Sequence, residues 1–105
     1  MRRNNLCDAN PEWLRAAEEM VVDTVLFFRN RGHRRDTAIE QGALALGLTS
    51  RKAWSLFYQQ PVAIAREEYQ QIRRAFIRHL DEQADDLARR SEAARLRRQQ
   101  MEMDL

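Results

Sequence analysis

The chain has 105 residues, of which 44% are hydrophobic and 32% are charged, with a formal net charge of +2. This length suits one domain with a modest core, and only three glycines and two prolines favour long helices over sheets and hairpins. No run of about 18 apolar residues occurs, which excludes a membrane-spanning segment.

The N-terminal residues carry little structural signal. Residues 1–9 have no periodicity, so we expect a flexible N-terminus, and the start MRRNNLCDANPEW lacks the apolar centre of a signal peptide. Cys7 is the only cysteine, so it has no partner for an intramolecular disulfide and favours a reducing compartment. We therefore expect a cytoplasmic protein.

The first predicted helix covers Glu12–Arg31 and should stop near Gly32. Asn10 is a suitable N-cap, and the proline that follows it suits the first helical position. Val22 and Leu26 form an i, i+4 apolar pair on the otherwise polar side. They are either ordinary surface residues or part of a dimerisation face, and we favour dimerisation.

Two short helices are predicted next. Asp36 is a candidate cap for a helix over Thr37–Leu46, which Gly47 ends. Thr49 is a candidate cap for the following helix, Ser50–Gln59, which cannot continue through the proline at position 61.

The last helical pattern is unusually long, from about Arg66 to Arg98, and would reach about 50 Å. Its apolar stripe includes Leu80 and Leu87, which we assign to dimerisation together with the pair on the first helix. A globule of this size cannot cover such a helix, so its far end must pair, project or fray. We predict a helical domain over residues 10–90 and a helical extension or frayed tail over residues 91–105.

The segment between the two short helices has the features of a sharp helical corner. Ala43 and Gly47 have the i, i+4 spacing of a close helix–helix approach, Leu48 can plug the turn, and Ala53 and Leu56 can bury the inner face of the next helix. With the following AREEYQQI segment, the pattern over residues 37–77 resembles the helix-turn-helix DNA-binding superfamily, and within it the headpiece of LacI-type repressors. The resemblance implies an all-α fold with a helix-turn-helix three-helix core, here joined to a long N-terminal helix and an extended C-terminal helix. About 35 residues precede the motif and no ligand-binding domain follows, so a small dimeric regulator, for example of a mobile element or prophage, fits better than an effector sensor.

Positive charge is concentrated in the middle third of the sequence. Residues 1–28 carry three arginines and five acids, which is −2, and residues 67–105 carry eight arginines and nine acids, which is −1. Residues 29–66 carry six arginines and one lysine against two acids, which is +5. This asymmetry favours an anionic partner for the middle third.

These features assign DNA-contacting roles to the third helix and its surroundings. Arg51 in the first turn can bond guanine in the major groove, with Ser50 and Ser55 beside it, while Gln59 could read adenine and Lys52 lies on the same flank as Gln59. Phosphate contacts are expected from three further residues: Arg34, Arg35 and Thr49. Two aromatic residues could either touch DNA or pack in the core: Trp54 and Tyr58.

The remaining polar residues suggest no enzyme, metal or cofactor. His33 and His79 lack Cys or His partners at metal-ligand spacing; His33 is assigned to the basic link and His79 to the flank of the apolar stripe. Four acids at positions 81, 82, 85 and 86 are best read as a solvated face. No nucleophile–base set and no Gly-rich phosphate loop occur.

The sequence therefore favours a small homodimeric, repressor-like regulator that binds double-stranded DNA through the helix over residues 50–59. A second hypothesis is a helical protein–protein adaptor or inhibitor that binds its partner through the two long helices and makes no direct DNA contact. A third is a nonspecific architectural protein for nucleic acid.

Overall fold

The computed structural model describes residues 11–104, which form four α-helices and no strand. The helices are α1 (Pro11–Asn30), α2 (Arg35–Leu46), α3 (Ser50–Phe57) and α4 (Arg66–Met103). The prediction of an all-α chain is confirmed. The predicted flexible residues 1–9, with Cys7, and the predicted cap Asn10 lie outside the described residues.

Each helix differs from the sequence prediction at one end or both. Helix α1 covers Pro11–Asn30, one residue earlier at both ends than predicted. Helix α2 begins at Arg35, so Asp36 is not its cap but lies in its first turn, where a carboxylate favours the positive end of the helix dipole. Helix α3 ends at Phe57, two residues earlier than predicted. Helix α4 continues past Arg98 to Met103.

Helices α1 and α2 form the centre of the fold, and each packs against the other three helices. The two helices are in close contact at Gly42, where an added Cβ would lie 3.3 Å from Cγ2 of Val25. An alanine at position 42 would therefore require the Val25 side chain to shift slightly. The fully buried large side chains that form the core come from all four helices and the segment before α4: Val21, Val25, Ile39, Leu46, Leu56, Ile64 and Ile72.

Helices α1 and α4 run side by side in the same direction. Near their starts, Trp13 stacks on Tyr69 with ring centroids 5.8 Å apart. Near the end of α1, the edge of the Phe27 ring meets His79 at 4.8 Å, and Arg31 donates a hydrogen bond of 2.9 Å to Asp86. The rest of α4 projects beyond the globule, so the molecule measures 76 × 24 × 17 Å. Across residues 11–104, no helix combines the length and the apolar character needed to cross a membrane.

The buried face of α4 follows the predicted apolar stripe only in its first part, where Ile72 is buried and Tyr69 and Phe76 pack against the core. His79, predicted to flank that stripe, is only 6% exposed, whereas Leu80 is 45% and Leu87 65% exposed. The reason is the position of α1, which covers the side of α4 that carries Ile72, Ala75 and His79. The strongly apolar positions at 80 and 87 are left on the surface.

Burial sets the charge state of His79. Its ring packs against both Phe27 and Phe28, and its Nε2 atom has no hydrogen-bond partner. Desolvation lowers the pKa of His79, Glu82 opposes this shift and Arg31 adds to it. The folded protein therefore favours the neutral imidazole.

We expect the free energy of unfolding to fall as the pH is lowered from 7 to 5. The unfolded chain binds a proton at His79 near its ordinary pKa of about 6.5, while the folded chain resists it until a lower pH. Stability from this group is thus complete above about pH 6.5 and decreases below it. Denaturant unfolding at pH 5, 6 and 7 measures the effect, and His79→Phe should flatten the profile, whereas the control His33→Gln should not. Parallel profiles for the wild type and His79→Phe would contradict this assignment.

Candidate nucleic-acid interface

The turn between α2 and α3 is fixed by backbone geometry at Gly47. Gly47 has a φ of 70°, in the left-handed region that suits glycine. Its N–H donates to the carbonyl of Leu44 at 3.3 Å, and the Leu48 N–H donates to the carbonyl of Ala43 at 2.8 Å. This pair of bonds satisfies the last carbonyls of α2 and reverses the chain within two residues.

Thr49 starts α3 immediately after this turn. Its side-chain oxygen accepts a hydrogen bond of 3.1 Å from the backbone N–H of Lys52, which confirms the predicted cap. The bond occupies a lone pair of the hydroxyl and leaves its proton available to a further acceptor. Because Thr49 is exposed, that acceptor can be external.

Helix α3 has a buried side and an outer side. Ala53 and Leu56 are 1% and 0% exposed and face α1 and α2. The helical period places a second set of residues on the opposite side, and Arg51 is the exposed member at its start. The outer set is Arg51, Trp54, Ser55 and Tyr58, of which Trp54 and Ser55 are partly buried. Ser50 is exposed on one flank of α3.

The outer side of α3 continues onto the start of α2. Trp54 and Tyr58 stack with ring centroids 5.1 Å apart, and the Arg35 guanidinium carbon lies 6.0 Å from the Tyr58 ring centroid. Trp54 also packs against the hydrophobic core. Arg35, Tyr58 and Trp54 therefore form a continuous series of side-chain contacts, although positions 35 and 58 are far apart in sequence.

Arg34 lies at the N-terminus of α2, where the backbone N–H groups of the first turn point out of the helix. It precedes the first turn of α2 and makes no capping bond through its side chain. Both Arg34 and Arg35 are exposed. Two cations at the positive end of a helix dipole raise the electrostatic energy of the isolated protein. An anion bound there would lower it.

Lys52 does not point toward the outer side of α3. Its Nζ atom lies 2.9 and 2.7 Å from the two carboxylate oxygens of Glu68, and each of the two side chains is 28% exposed. The ion pair ties α3 to the first turn of α4. A polyanion would reach the Lys52 charge only by competing with Glu68.

Gln59 lies beyond the end of α3 and not on its outer side. Its φ is 56°, and among residues 11–104 it is the only residue other than glycine with a positive φ. The Gln60 N–H donates to the carbonyl of Ser55 at 2.7 Å, which closes the end of α3 around this position. Gln59 lines a shallow groove together with Glu18 and Glu19 of α1, whose carboxylates repel phosphate.

The four residues assigned to dimerisation fall into separate places. Leu26 and Leu80 line one groove between α1 and α4. Leu87 lies further along α4 and is 65% exposed. Val22 is partly buried and lines the other groove, beside Gln59. The structure thus brings together Leu26 and Leu80, but it does not join Val22 to the surface of α4.

Two tertiary contacts in this region had no signal in the sequence. The Lys52–Glu68 pair joins residues on different helices, and the Arg31–Asp86 pair joins residues 55 positions apart. The hydrogen bond from Arg31 lowers the pKa of the Asp86 carboxyl, with Arg90 and Arg89 acting in the same direction and burial opposing them. By contrast, the contacts of Asp86 with Arg89 at i, i+3 and with Arg90 at i, i+4 were visible from spacing. Within the described part of the chain, no group of three or more His, Cys, Asp or Glu side chains is arranged to hold a metal ion.

No family model matches this chain, and neither the curated proteins nor the solved structures compared with it give a match. The resemblance to helix-turn-helix headpieces therefore stays a prediction from the residue pattern.

We expect a measurable coupling between Lys52 and Glu68 in a double-mutant cycle with Lys52→Met and Glu68→Gln. The pair is partly shielded from water, so the coupling in the free energy of unfolding should be about 1 kcal/mol. The matched control is Arg51→Met with Glu68→Gln, because Arg51 is an exposed neighbour on the same helix. Equal couplings in the two cycles would contradict the ion pair.

We expect Gln59→Gly to stabilise the protein by up to about 1 kcal/mol, because glycine adopts a positive φ without the steric cost of a Cβ. Chemical denaturation of the wild type and the variant measures the change. Gln60→Gly is the control, since Gln60 does not have a positive φ and glycine there only adds entropy to the unfolded chain. A loss of stability in Gln59→Gly would show that its side chain matters more than the backbone strain.

Proposed function

We propose that the protein is a homodimeric, sequence-specific DNA-binding regulator that acts by occupying its site. In this proposal α3 enters the major groove, while the start of α2 and the α2–α3 turn contact the phosphates beside it. The action is binding alone, so it requires no catalytic group and no cofactor.

The observation that carries the proposal is the exposed arginine in the first turn of α3. Arg51 stands opposite the buried Ala53 and Leu56, so its direction is set by the packing of the helix on the core. Helix α3 packs on α1 and α2 and meets α4 at the Lys52–Glu68 pair, which leaves the outer side open. An arginine held in this way can donate two hydrogen bonds to guanine O6 and N7.

Residues further along the outer side extend the contact. Ser55 follows Arg51 by one helical turn and can donate to or accept from a base edge. The stacked Trp54 and Tyr58 rings are held by each other and by the core, so they present a preformed surface for a sugar or a thymine methyl group. Ser50 at the start of the helix is exposed and can bond a phosphate or a base.

Phosphate contacts are assigned to three residues around this helix. Arg34 and Arg35 place two cations at the positive end of α2, and a phosphate there would interact with both cations and with the backbone N–H groups. Thr49 supplies its hydroxyl proton. Lys52 can contact a phosphate only if its ion pair with Glu68 breaks. Gln59 is not assigned a DNA contact, because it lies beside Glu18 and Glu19.

A second candidate, a helical adaptor for another protein, is favoured by the surface of α4. Leu87 and Met101 are each 65% exposed, and large exposed apolar side chains in a row mark interaction surfaces. In that case the basic middle third would have no nucleic-acid partner.

We expect selection from a random duplex pool to yield a preferred sequence, and Arg51→Ala to weaken binding to it by about 5- to 150-fold, the equivalent of about 1–3 kcal/mol. Binding to random duplex should change much less. Fluorescence anisotropy at several salt concentrations measures both, and the slope of log affinity against log salt should be about −0.9 per phosphate contacted. Arg78→Ala is the matched control, since Arg78 is an exposed arginine on α4.

Three results would contradict the proposal in different ways. No binding at low salt would favour the adaptor, and equal affinity for all duplexes would favour a nonspecific architectural role. Equal losses in Arg51→Ala and Arg78→Ala would remove α3 from the interface. Circular dichroism of each variant separates a lost contact from a lost fold.

A further inference from the structure

Helix α4 continues for several turns after its last contact with the globule. The Arg31–Asp86 pair marks the end of its packing against α1, and all residues from 87 to 104 are exposed. These residues extend about 25 Å beyond that contact. A helix segment that buries no apolar face gains no stability from tertiary packing. We therefore ask whether the surface of α4 has the residue pattern of a helix that packs against a second helix.

That surface carries a regular seam. Exposed residues recur at alternating spacings of three and four from position 77 to position 101, a length of about 36 Å. This is the spacing with which one helix packs along another in a coiled coil. The seam consists of Ile77, Leu80, Ala84, Leu87, Ser91, Ala94, Arg98 and Met101. It begins beside the groove that Leu26 lines together with Leu80.

The side chains that flank the seam carry charges of both signs. The helical period places Arg74, Asp81, Arg95 and Glu102 along one edge of the seam, and Arg90 and Arg97 along the other edge. If two copies paired in parallel, Arg90 of each copy would lie beside Arg95 of the other. If they paired antiparallel around Arg89, Asp81 would lie beside Arg95 and Arg74 beside Glu102 of the other copy, and only the two copies of Arg90, each paired with its own Asp86, would meet near the axis. The antiparallel arrangement is therefore the favourable one.

The geometry points to an antiparallel homodimer in which the α4 helices of two chains pair along this seam with their two-fold axis at Arg89. This inference deepens the homodimer part of the proposed function, and it depends on no DNA contact. A second copy is the occupant because the charged residues that flank the seam are complementary to the same residues in the reverse direction.

The register follows from the same charges. Only shifts of seven residues keep the seam in contact with itself. A shift in one direction places Arg74 beside Arg95 of the other copy, and a shift in the other direction places Asp81 beside Glu102 and Arg90 beside Arg97. Both alternatives bring like charges together, so the centred register is preferred. It pairs Ala84 with Ala94 and Leu87 with Ser91 of the second copy, and the small side chains of Ala84, Ala94 and Ser91 let the helix backbones approach closely.

The pairing has a consequence for DNA that rests on the proposed function. The Lys52–Glu68 pair holds α3 beside position 68, about 21 residues or 32 Å from the two-fold axis. The two α3 helices would then lie roughly 63 Å apart along the dimer. Two turns of B-DNA measure about 68 Å, so the dimer would fit half-sites two helical turns apart.

Sedimentation of the full chain with Leu87→Gln and Leu96→Gln tests the surface. Leu96 is the matched control because it is 53% exposed on the same helix but lies on the side away from the seam. We expect a wild-type dimer, a dissociation constant raised by at least about tenfold in Leu87→Gln, and a change of less than about twofold in Leu96→Gln. A monomeric wild-type chain at about 100 μM, or equal effects of the two substitutions, would overturn the inference and leave the seam to another protein.

Single cysteines in a Cys7→Ser background test the orientation. An oxidised mixture of Ala84→Cys and Ala94→Cys chains should form a disulfide-linked heterodimer, because antiparallel pairing places these positions opposite each other. Ala84→Cys alone should not crosslink, since its two copies would be about 15 Å apart along the helices, beyond the reach of a disulfide. Crosslinking of Ala84→Cys with itself would show parallel pairing and overturn the inference.

Footprinting on the selected DNA sequence tests the spacing separately. Two protected half-sites about two turns apart are expected. The heterodimer crosslink without DNA binding would overturn the proposed function and leave the antiparallel dimer standing. DNA binding without the crosslink would do the reverse.

Discussion

The left-handed turn at Gly47 determines the direction of α3, and the proposed DNA contact through Arg51 depends on that direction. Two backbone hydrogen bonds close the end of α2, and Thr49 begins α3 at once. With so short a connection, Ala53 and Leu56 are forced into the core and Arg51 is forced outward. A side chain at position 47 would destabilise the fold by about 1–2 kcal/mol, because its residue would have to adopt a positive φ. Steric contact adds nothing to this cost, since an added Cβ would meet no atom within 4 Å.

The basic middle third is not uniformly available to an anionic partner. Lys52 is paired with Glu68, and Arg31 is paired with Asp86. Among the described residues, none of the ion pairs includes Arg34, Arg35 or Arg51. The internal pairs serve the fold by tying α3 and α1 to α4. Arg51 lies on the outer side of α3, and Arg35 reaches the same side through Tyr58. This division favours an anionic partner more strongly than the net charge does, because it leaves these two unpaired charges on one surface.

Helix α4 combines two environments in one continuous helix. Its first part completes the core through Ile72 and the buried His79, and its second part is exposed on all sides. The side that faces α1 and the side that carries the seam are different, so α4 can hold the globule and a second chain at the same time. A rigid α4 that links the globule to a second chain would set the distance between the two copies of α3. The geometry of the dimer would then determine the spacing of the DNA half-sites.

The sequence by itself determined the four helices and placed most of their ends to within two residues, because caps, glycines and apolar periodicity act within a few residues. Thr49 and Gly47 are examples, and the inward direction of Ala53 follows from the same local rules. Only the tertiary structure decided how far along α4 the predicted stripe is buried, since that depends on where α1 lies, and it buried His79, which periodicity placed at the flank of the stripe. It also decided that Lys52 belongs to Glu68, because a contact between separate helices depends on how they pack together and leaves no mark in the local sequence.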